Sequence, residues 1–386
     1  MFHTAKEKDI LDGNITDVYF ARTQEILKAK RIDKWVKAEF IAKSFPREIP
    51  WAVLAGIEET AEIFKQLSVT VRAMPEGTLF RTEEPVMEIG GQYSEFGHFE
   101  TALIGLLCQA SGIATQAARC KKISGDRPLI SFGARRMHPA LAPMIERSAF
   151  IGGCDGVAVI KSAELIGQQA VGTMPHALIL LMGDTLEAVE AFDAVIDPSV
   201  KRVALIDTLN DEKCEALRVA EAMGKKLYAI RLDTPASRRG NLYKLIEELR
   251  WELALRGLEH IKIFVSGGLN EEAMTTLNPV VDAYGIGTAI SNAPVIDFSM
   301  DIVEVEGRPF AKRGKKSASK QVYRCEACGF GAIVPASENK DRCPQCQGPY
   351  RGLLNPFIRK GELARPLPTP EAIRKFVLKQ CLKYDL

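Results

Sequence analysis

From Arg127 to Gly287 the chain repeats one theme, a short β-rich apolar run, a loop of polar or glycine residues, then a helical pattern. That alternation constrains the fold more than any other feature, because it is the pattern of β/α units around a parallel sheet. The runs are PLISF (128–132), GVAVI (156–160), ALILL (177–181), VALI (203–206), LYAIRL (227–232), IKIFV (261–265) and VDAYGIG (281–287). Seven such strands suit either a nearly closed barrel or an open doubly wound sheet. No GxGxxG loop follows the first run, so a dinucleotide fold is not favoured and a barrel is expected. The connecting helices carry apolar stripes at helical spacing. Cys214, Leu217, Ala220 and Met223 recur before Gly224, and Leu242, Leu245, Ile246, Leu249 and Leu253 recur before Gly257.

The segment before Gly112 differs, mixing helical patterns such as Ile57 to Leu67 with the turn-punctuated stretch VTVRAMPEGTLFRTEEPVMEIGG. The expected organisation is an N-terminal α+β domain at 1–115, completed by about 290–315, and an α/β barrel catalytic domain at 116–289. A small zinc-ribbon-like four-cysteine segment with a C-terminal helix occupies 316–386. A basic stretch holding Arg308, Lys312, Arg313, Lys315, Lys316 and Lys320 reads first as a solvated linker.

A net charge of +2 argues against a long nucleic-acid or membrane surface. No uninterrupted apolar stretch approaches the roughly 20 residues that cross a bilayer, and MFHTAKEKDI lacks the apolar region of a secretory signal. A cytoplasmic location is expected, with no membrane partner.

Cys325-x2-Cys328 and Cys343-x2-Cys346 aim two pairs of thiolates at one point, the tetrahedral sulfur set of structural zinc. A closed four-cysteine site stabilises a small module and leaves no open position for catalysis. A redox or disulfide pair is the alternative. Cys108, Cys120, Cys154, Cys214 and Cys381 have no such partners and read as small core residues.

In β/α barrels the chemistry sits where the strands end at their C-termini. Arg135 and Arg136 follow the first run, Asp207 and Thr208 follow VALI, and Arg231 and Asp233 close YAIRLD. SGG (266–268) and GIGT (285–288) follow the last two runs. Arginines there can grip phosphate or carboxylate, glycine turns can present N–H groups to phosphate, and the aspartates can hold Mg²⁺ or ribose hydroxyls. Each taken alone is equally well a cap or an ion pair; their succession on neighbouring strands points to a site. His176 precedes its run, and a lone histidine beside an apolar stretch is usually a satisfied, half-buried side chain.

FGARR (132–136), TMPHA (173–177), LIDT (205–208), RLD (231–233), SGG and GIGT, in that order, resemble the motif series of the nicotinate phosphoribosyltransferases. ASGIAT (110–115) is of a kind shared with the quinolinate enzymes. The resemblance spans roughly Asp17 to Thr288 and implies an irregular seven-stranded α/β barrel, an N-terminal α/β domain and a homodimer or higher homo-oligomer with shared active sites. It implies transfer of phosphoribosyl from phosphoribosyl pyrophosphate to nicotinate, with ATP as co-substrate and His176 as phosphate acceptor. Mg²⁺ with Arg231, Asp233 and Asp207 would hold ribose and pyrophosphate, and Arg135 would bind the carboxylate of the base or a phosphate. Phe132 would stack on the pyridine, Tyr19 would approach from the other subunit, and Gly267, Gly268, Gly287 and Thr288 would receive the 5′-phosphate. Asp155 stands where nicotinamide-using relatives carry an amide-accepting aspartate, so nicotinamide and quinolinate stay open as alternative bases. A zinc-ribbon nucleic-acid-binding protein is the alternative of another class.

Overall fold

The computed structural model describes residues 2–235, 237–238 and 240–386. The chain forms two compact units, Met1–Thr115 with Pro294–Leu386, and Gln116–Ala293.

The second unit holds an open parallel sheet of six strands, in the order Gly156–Val157, Leu129–Ser131, Ala283–Ile286, Lys262–Val265, Ala229–Leu232, Val203–Leu205. Register aligns the strand ends, with Val265 opposite Leu232, Leu205 opposite Arg231 and Ile286 opposite Ser131. Residues that follow these strands therefore meet along one edge. The α/β class with a parallel sheet is as expected, but the sheet has six strands, a half-barrel in place of the expected seven-stranded barrel, because only six of the seven runs are strands. ALILL belongs to the helix His176–Met182. Its residues are helix formers, and burial is one-sided: Ile179 is enclosed while Leu180 and Leu181 are 61% and 86% exposed. GVAVI is a strand only at Gly156–Val157, and the exposed Ile160 opens the helix Ile160–Leu165. The helix Glu212–Met223 is capped by the Asp211 side chain and buries Ala216, Val219, Ala220 and Met223. Cys214 lies off that stripe and is exposed, contrary to its reading as a core residue; Cys120, Cys154 and Cys381 are buried.

The first unit is built on a seven-stranded antiparallel sheet, ordered Arg308–Pro309, Phe298–Val305, Trp35–Ala42, Met87–Gln92, Thr70–Ala73, Asn355–Arg359, Glu362–Leu363. Its apolar core includes Phe40, Phe64, Val71, Phe80, Ile89 and Phe298. Across this sheet the register sets Asp301 opposite Glu39, Glu39 opposite Glu88, and Glu88 opposite Arg72. Three neighbouring carboxylates in one row repel and need cations. The basic stretch supplies them. Lys312 and Lys315 pair with Asp301, and the buried Lys320 reaches Glu39 at 2.7 Å. Arg72 and the Ser319 hydroxyl satisfy Glu88. Burial works against the Asp301 charge, yet the two lysines hold its pKa below the usual range, whereas for Glu39 burial prevails and raises it. Lys315 and Lys320 are thus built into the fold, whereas Arg308, Lys312, Arg313 and Lys316 stay exposed. The acids that the stretch meets lie more than two hundred positions away or, for Asp301, on the strand Phe298–Val305, which no motif had marked.

The helix Glu100–Ser124 carries Ser111 and Thr115, whose hydroxyls accept hydrogen bonds from the Ala55 and Val53 N–H groups at 3.0 and 2.8 Å. The helical stretch Tyr93–Ser124 is long and apolar enough to cross a membrane by length and composition, but 67% of its apolar window is buried in the protein, as in a core helix. After the sheet, the strands Lys320–Cys325, Gly331–Pro335 and Tyr350–Gly352 form a three-stranded antiparallel ribbon. The terminal helix Pro370–Cys381 is capped by Thr369 and buries Ile373, Val377 and Cys381.

Candidate active site

The strand ends of the parallel sheet gather most of the residues singled out from sequence. Arg231 donates to Ser266 Oγ and to Thr173 Oγ1, each at 2.9 Å, and its guanidinium lies 5.2 Å from the centre of the Phe132 ring. Ser266 in turn donates to Asp233 Oδ1 at 2.7 Å, and Arg231 stands 3.3 Å from Asp233 Oδ2. His176 opens its helix at the N-terminal turn. Its Nδ1 shares a 2.9 Å hydrogen bond with Thr208 Oγ1, and its Nε2 lies 3.6 Å from Asp233 Oδ2. The imidazole is therefore held at Nδ1 by Thr208, with the Asp233 carboxylate near its other nitrogen.

Asp207 is the strained member of the set. Burial raises its pKa, opposed by the neighbouring His176, and its Oδ1 is buried with no hydrogen-bond partner among the described residues. An unpartnered buried carboxylate oxygen is costly and suits a cation or a donor brought by a ligand.

Two cavities share Arg135, Arg231 and Asp233. One, of about 250 Å³, is lined by Phe132, Arg136 and the turns Ser266–Gly268 and Gly287–Thr288. The other, of about 540 Å³, is lined by Thr173 to Ala177, including His176. Gly267 has φ +85°, and a Cβ there would stand 2.6 Å from the Asp233 carbonyl oxygen, so the turn requires glycine. The first cavity has the arginines and glycine turns of an anion site beside an aromatic face; the second places a nucleophilic nitrogen next to it.

Not every expected residue joins this cluster. Asp155 accepts from Lys121 Nζ at 2.9 Å and from the Leu129 N–H at 2.8 Å, at the opposite end of the strand Leu129–Ser131. It anchors the sheet and lines neither cavity. Tyr19 sits 57% exposed on the helix Val18–Lys30 of the other unit. Thr173, Thr208 and Ser266 carry the hydrogen bonds that orient the cluster. Each lay inside a motif already singled out but was given no role, because a hydroxyl leaves no spacing signature.

In the first unit the four cysteine sulfurs converge. Cys325 and Cys346 Sγ are 3.4 Å apart, Cys328 and Cys343 3.6 Å, and all four lie within 4.8 Å of one another. A tetrahedral zinc site has sulfur edges of about 3.8 Å, from metal–sulfur distances near 2.3 Å, so the set fits such an ion. The Cys325 Sγ accepts the Cys328 N–H, which pulls that thiol down to about 6, while burial and hydrogen bonds to the other sulfurs push Cys328 up. Gly348 packs against two of the sulfurs, where a Cβ would come within 3.3 Å of Cys346.

Comparison with known proteins matches residues 17–111 to the quinolinate phosphoribosyl transferase N-terminal domain and residues 113–301 to its C-terminal domain. The cysteine segment lies beyond both. Nicotinate phosphoribosyltransferase pncB1 of Mycobacterium tuberculosis is 30% identical over 304 residues, covering 74% of this chain and 66% of that protein. Nicotinate phosphoribosyltransferase of Bacillus subtilis is 30% identical over 306 residues, covering 69% and 61%. This chain thus spans just under two thirds of the length of these curated relatives. Among solved structures, nicotinate-nucleotide pyrophosphorylase from Pyrococcus furiosus matches with TM-score 0.98 and 54% identity, covering 100% of this chain and 99% of that one. Human nicotinic acid phosphoribosyltransferase matches in fold, with TM-score 0.73 at 21% identity over 96% and 94%.

Proposed function

This chain belongs to the quinolinate phosphoribosyl transferase family, and from that premise we propose that it is a nicotinate phosphoribosyltransferase of NAD salvage. The reaction joins nicotinate to phosphoribosyl pyrophosphate, forming the bond from the pyridine nitrogen to the ribose anomeric carbon and releasing pyrophosphate. The observation that carries this reading is the single cluster in which Arg231 and Asp233 border two glycine turns, with His176 in the adjoining cavity and Asp207 beside them in electrostatic reach.

Displacement at the anomeric carbon builds positive charge on the sugar while negative charge grows on the leaving pyrophosphate. Arg135 and Arg136 border the cavity as cations for phosphate or carboxylate, and Arg231, fixed by Ser266 and Thr173, presents a rigid third. Gly267, Gly268, Gly287 and Thr288 would receive the 5′-phosphate, and Phe132 would support the pyridine ring. Asp207 and Asp233 would hold Mg²⁺, which supplies charge neutralisation for the pyrophosphate when bound; the unpartnered Asp207 Oδ1 supports that role. His176 would take the terminal phosphoryl of ATP, a nitrogen–phosphorus bond forming as the bond to ADP breaks. Thr208 and Asp233 orient its ring for this transfer.

Nicotinate is preferred to nicotinamide because the Asp155 carboxylate is bound by Lys121 and the Leu129 N–H and does not confront the base. Zinc would occupy the four cysteines as a structural ion. Tyr19 would reach the base from a partner subunit in a homodimer, and a cytoplasmic location suits such an enzyme.

The test is product formation with phosphoribosyl pyrophosphate and Mg²⁺, offering nicotinate, nicotinamide and quinolinate separately, with and without ATP, for wild type and His176→Ala. Conversion of nicotinate with ATP stimulation lost in the variant is expected. Preference for quinolinate or nicotinamide would refute the choice of base, and an unaltered ATP effect in the variant would refute the role of His176.

A further inference from the structure

A cavity of about 580 Å³ in the first unit carries a charge excess that the reaction above does not use. Its walls hold five basic side chains, Arg324, Arg351, Arg365, Lys379 and Lys383, against one acid, Glu326. Two of the five are neutralised: Arg324 binds both oxygens of Glu84, and Arg351 pairs with Glu326 at 2.7 Å. Lys383 is held on the Glu326 carbonyl oxygen at 2.6 Å, which leaves its charge uncompensated. Arg365 and Lys379 pair with no carboxylate among the described residues. Three positive charges thus face one cleft.

Arg365, Phe376 and Pro75 also line a second cavity of about 320 Å³, whose other walls are chiefly apolar and include Ile57, Met74, Phe357 and Ile373, with the buried Glu76, which accepts from the Gly56 N–H, as its one acid. The two spaces adjoin, one cationic and one apolar, and each lies at or near the size of small-molecule sites. A ligand that satisfies both has a flat, weakly polar ring system joined to a group bearing two or three negative charges. We propose that this double cavity is a second ligand site that binds a phosphorylated nucleoside, phosphates on Arg365, Lys379 and Lys383, base against Phe376.

This assignment gives the cysteine segment a purpose. Arg324 and Glu326 flank Cys325, and Arg351 lies on the strand Tyr350–Gly352 paired to the Cys325 strand. An ion on the four sulfurs would fix this wall, and with it the Glu326 carbonyl oxygen on which Lys383 is held.

The test uses the full chain and ADP as probe, in two readouts that do not depend on turnover. Photolabelling with 8-azido-ADP is expected to modify peptides within 365–384, and calorimetry is expected to show ADP affinity falling at least tenfold at that site in the Arg365→Glu, Lys379→Glu double variant. Phe376→Ala is expected to weaken ADP while leaving inorganic pyrophosphate unchanged. Unaltered thermal unfolding of the double variant verifies its fold. Label confined to other peptides, or unchanged ADP affinity in the double variant, overturns the site. Pyrophosphate binding as tightly as ADP overturns the role of the apolar cavity, and displacement of ADP by a single-stranded oligonucleotide at lower concentration assigns the cleft to nucleic acid instead.

Discussion

Asp207 is where stability and chemistry oppose each other most directly. Its carboxylate is pushed by burial toward the neutral form, and one oxygen lacks a partner. A folded-state pKa above the ordinary value means that the stabilising contribution is present below the unfolded value, near 4, and is lost as pH rises through the folded one. At pH 7 the charge therefore burdens the fold. Asp207→Asn is expected to melt at a higher temperature than wild type at pH 7, with the gap closing toward pH 4. The same variant is expected to lose about 10²- to 10³-fold in kcat, the scale of removing one preorganised electrostatic group. Scanning calorimetry at the two pH values beside steady-state rates measures both. A variant that is neither stabilised at pH 7 nor impaired in rate would show that this carboxylate neither burdens the fold nor serves the reaction. Neighbouring roles were partly legible. RLD and SGG announced Arg231 and the glycine turns, but the hydroxyls of Thr173, Thr208 and Ser266 declare themselves only through partners up to 58 positions away.

Among elements, the row of acids across the antiparallel sheet shows why the stretch after Val305 is basic. Glu39, Glu88 and Asp301 come from three different strands, and Lys320 and its neighbours fold back to neutralise them. Lys320→Met leaves Glu39 charged and buried beside two other carboxylates, and is expected to cost about 3–5 kcal/mol in urea unfolding. Replacing both partners, Glu39→Leu with Lys320→Met, is expected to restore most of that stability, because the uncompensated charge disappears with its repulsion. Equal losses in the single and double variants would mean that the lysine stem, not its charge, holds the strand. Periodicity could not reveal this row. Alternation tells which residues share a face of one strand, while register decides which residues of distant strands sit side by side.

For the molecule as a whole, pH acts through groups outside the candidate active site as well. Glu100, at the start of the long helix, is raised to about 7, first by burial and then by Asp301, with Lys312 opposing. A raised carboxylate stabilises the fold below its ordinary value and stops doing so as pH rises through the folded one, so the window runs from about 4.5 to about 7. Wild type is expected to lose about 1–2 kcal/mol across it relative to Glu100→Gln, after allowance for partial exposure. Urea midpoints of both proteins at pH 4.5 and pH 8 measure the difference. Parallel pH curves for the two proteins would assign the effect to other groups.

The sequence by itself determined the β/α alternation, the four-cysteine cluster and the order of the strand-end motifs. These are local matters, written in runs of β-branched residues, in covalent spacing and in glycine turns. ALILL is an apolar run too short for its period to separate strand from helix, and only one-sided burial in the folded unit decides it. Asp155 lies between two strands in sequence, and parallel register alone determines which end of the sheet it serves. The basic stretch looked solvated because its acids are supplied by other strands. Tertiary structure decided each of these, since burial and pairing are properties of positions brought together from distant parts of the chain.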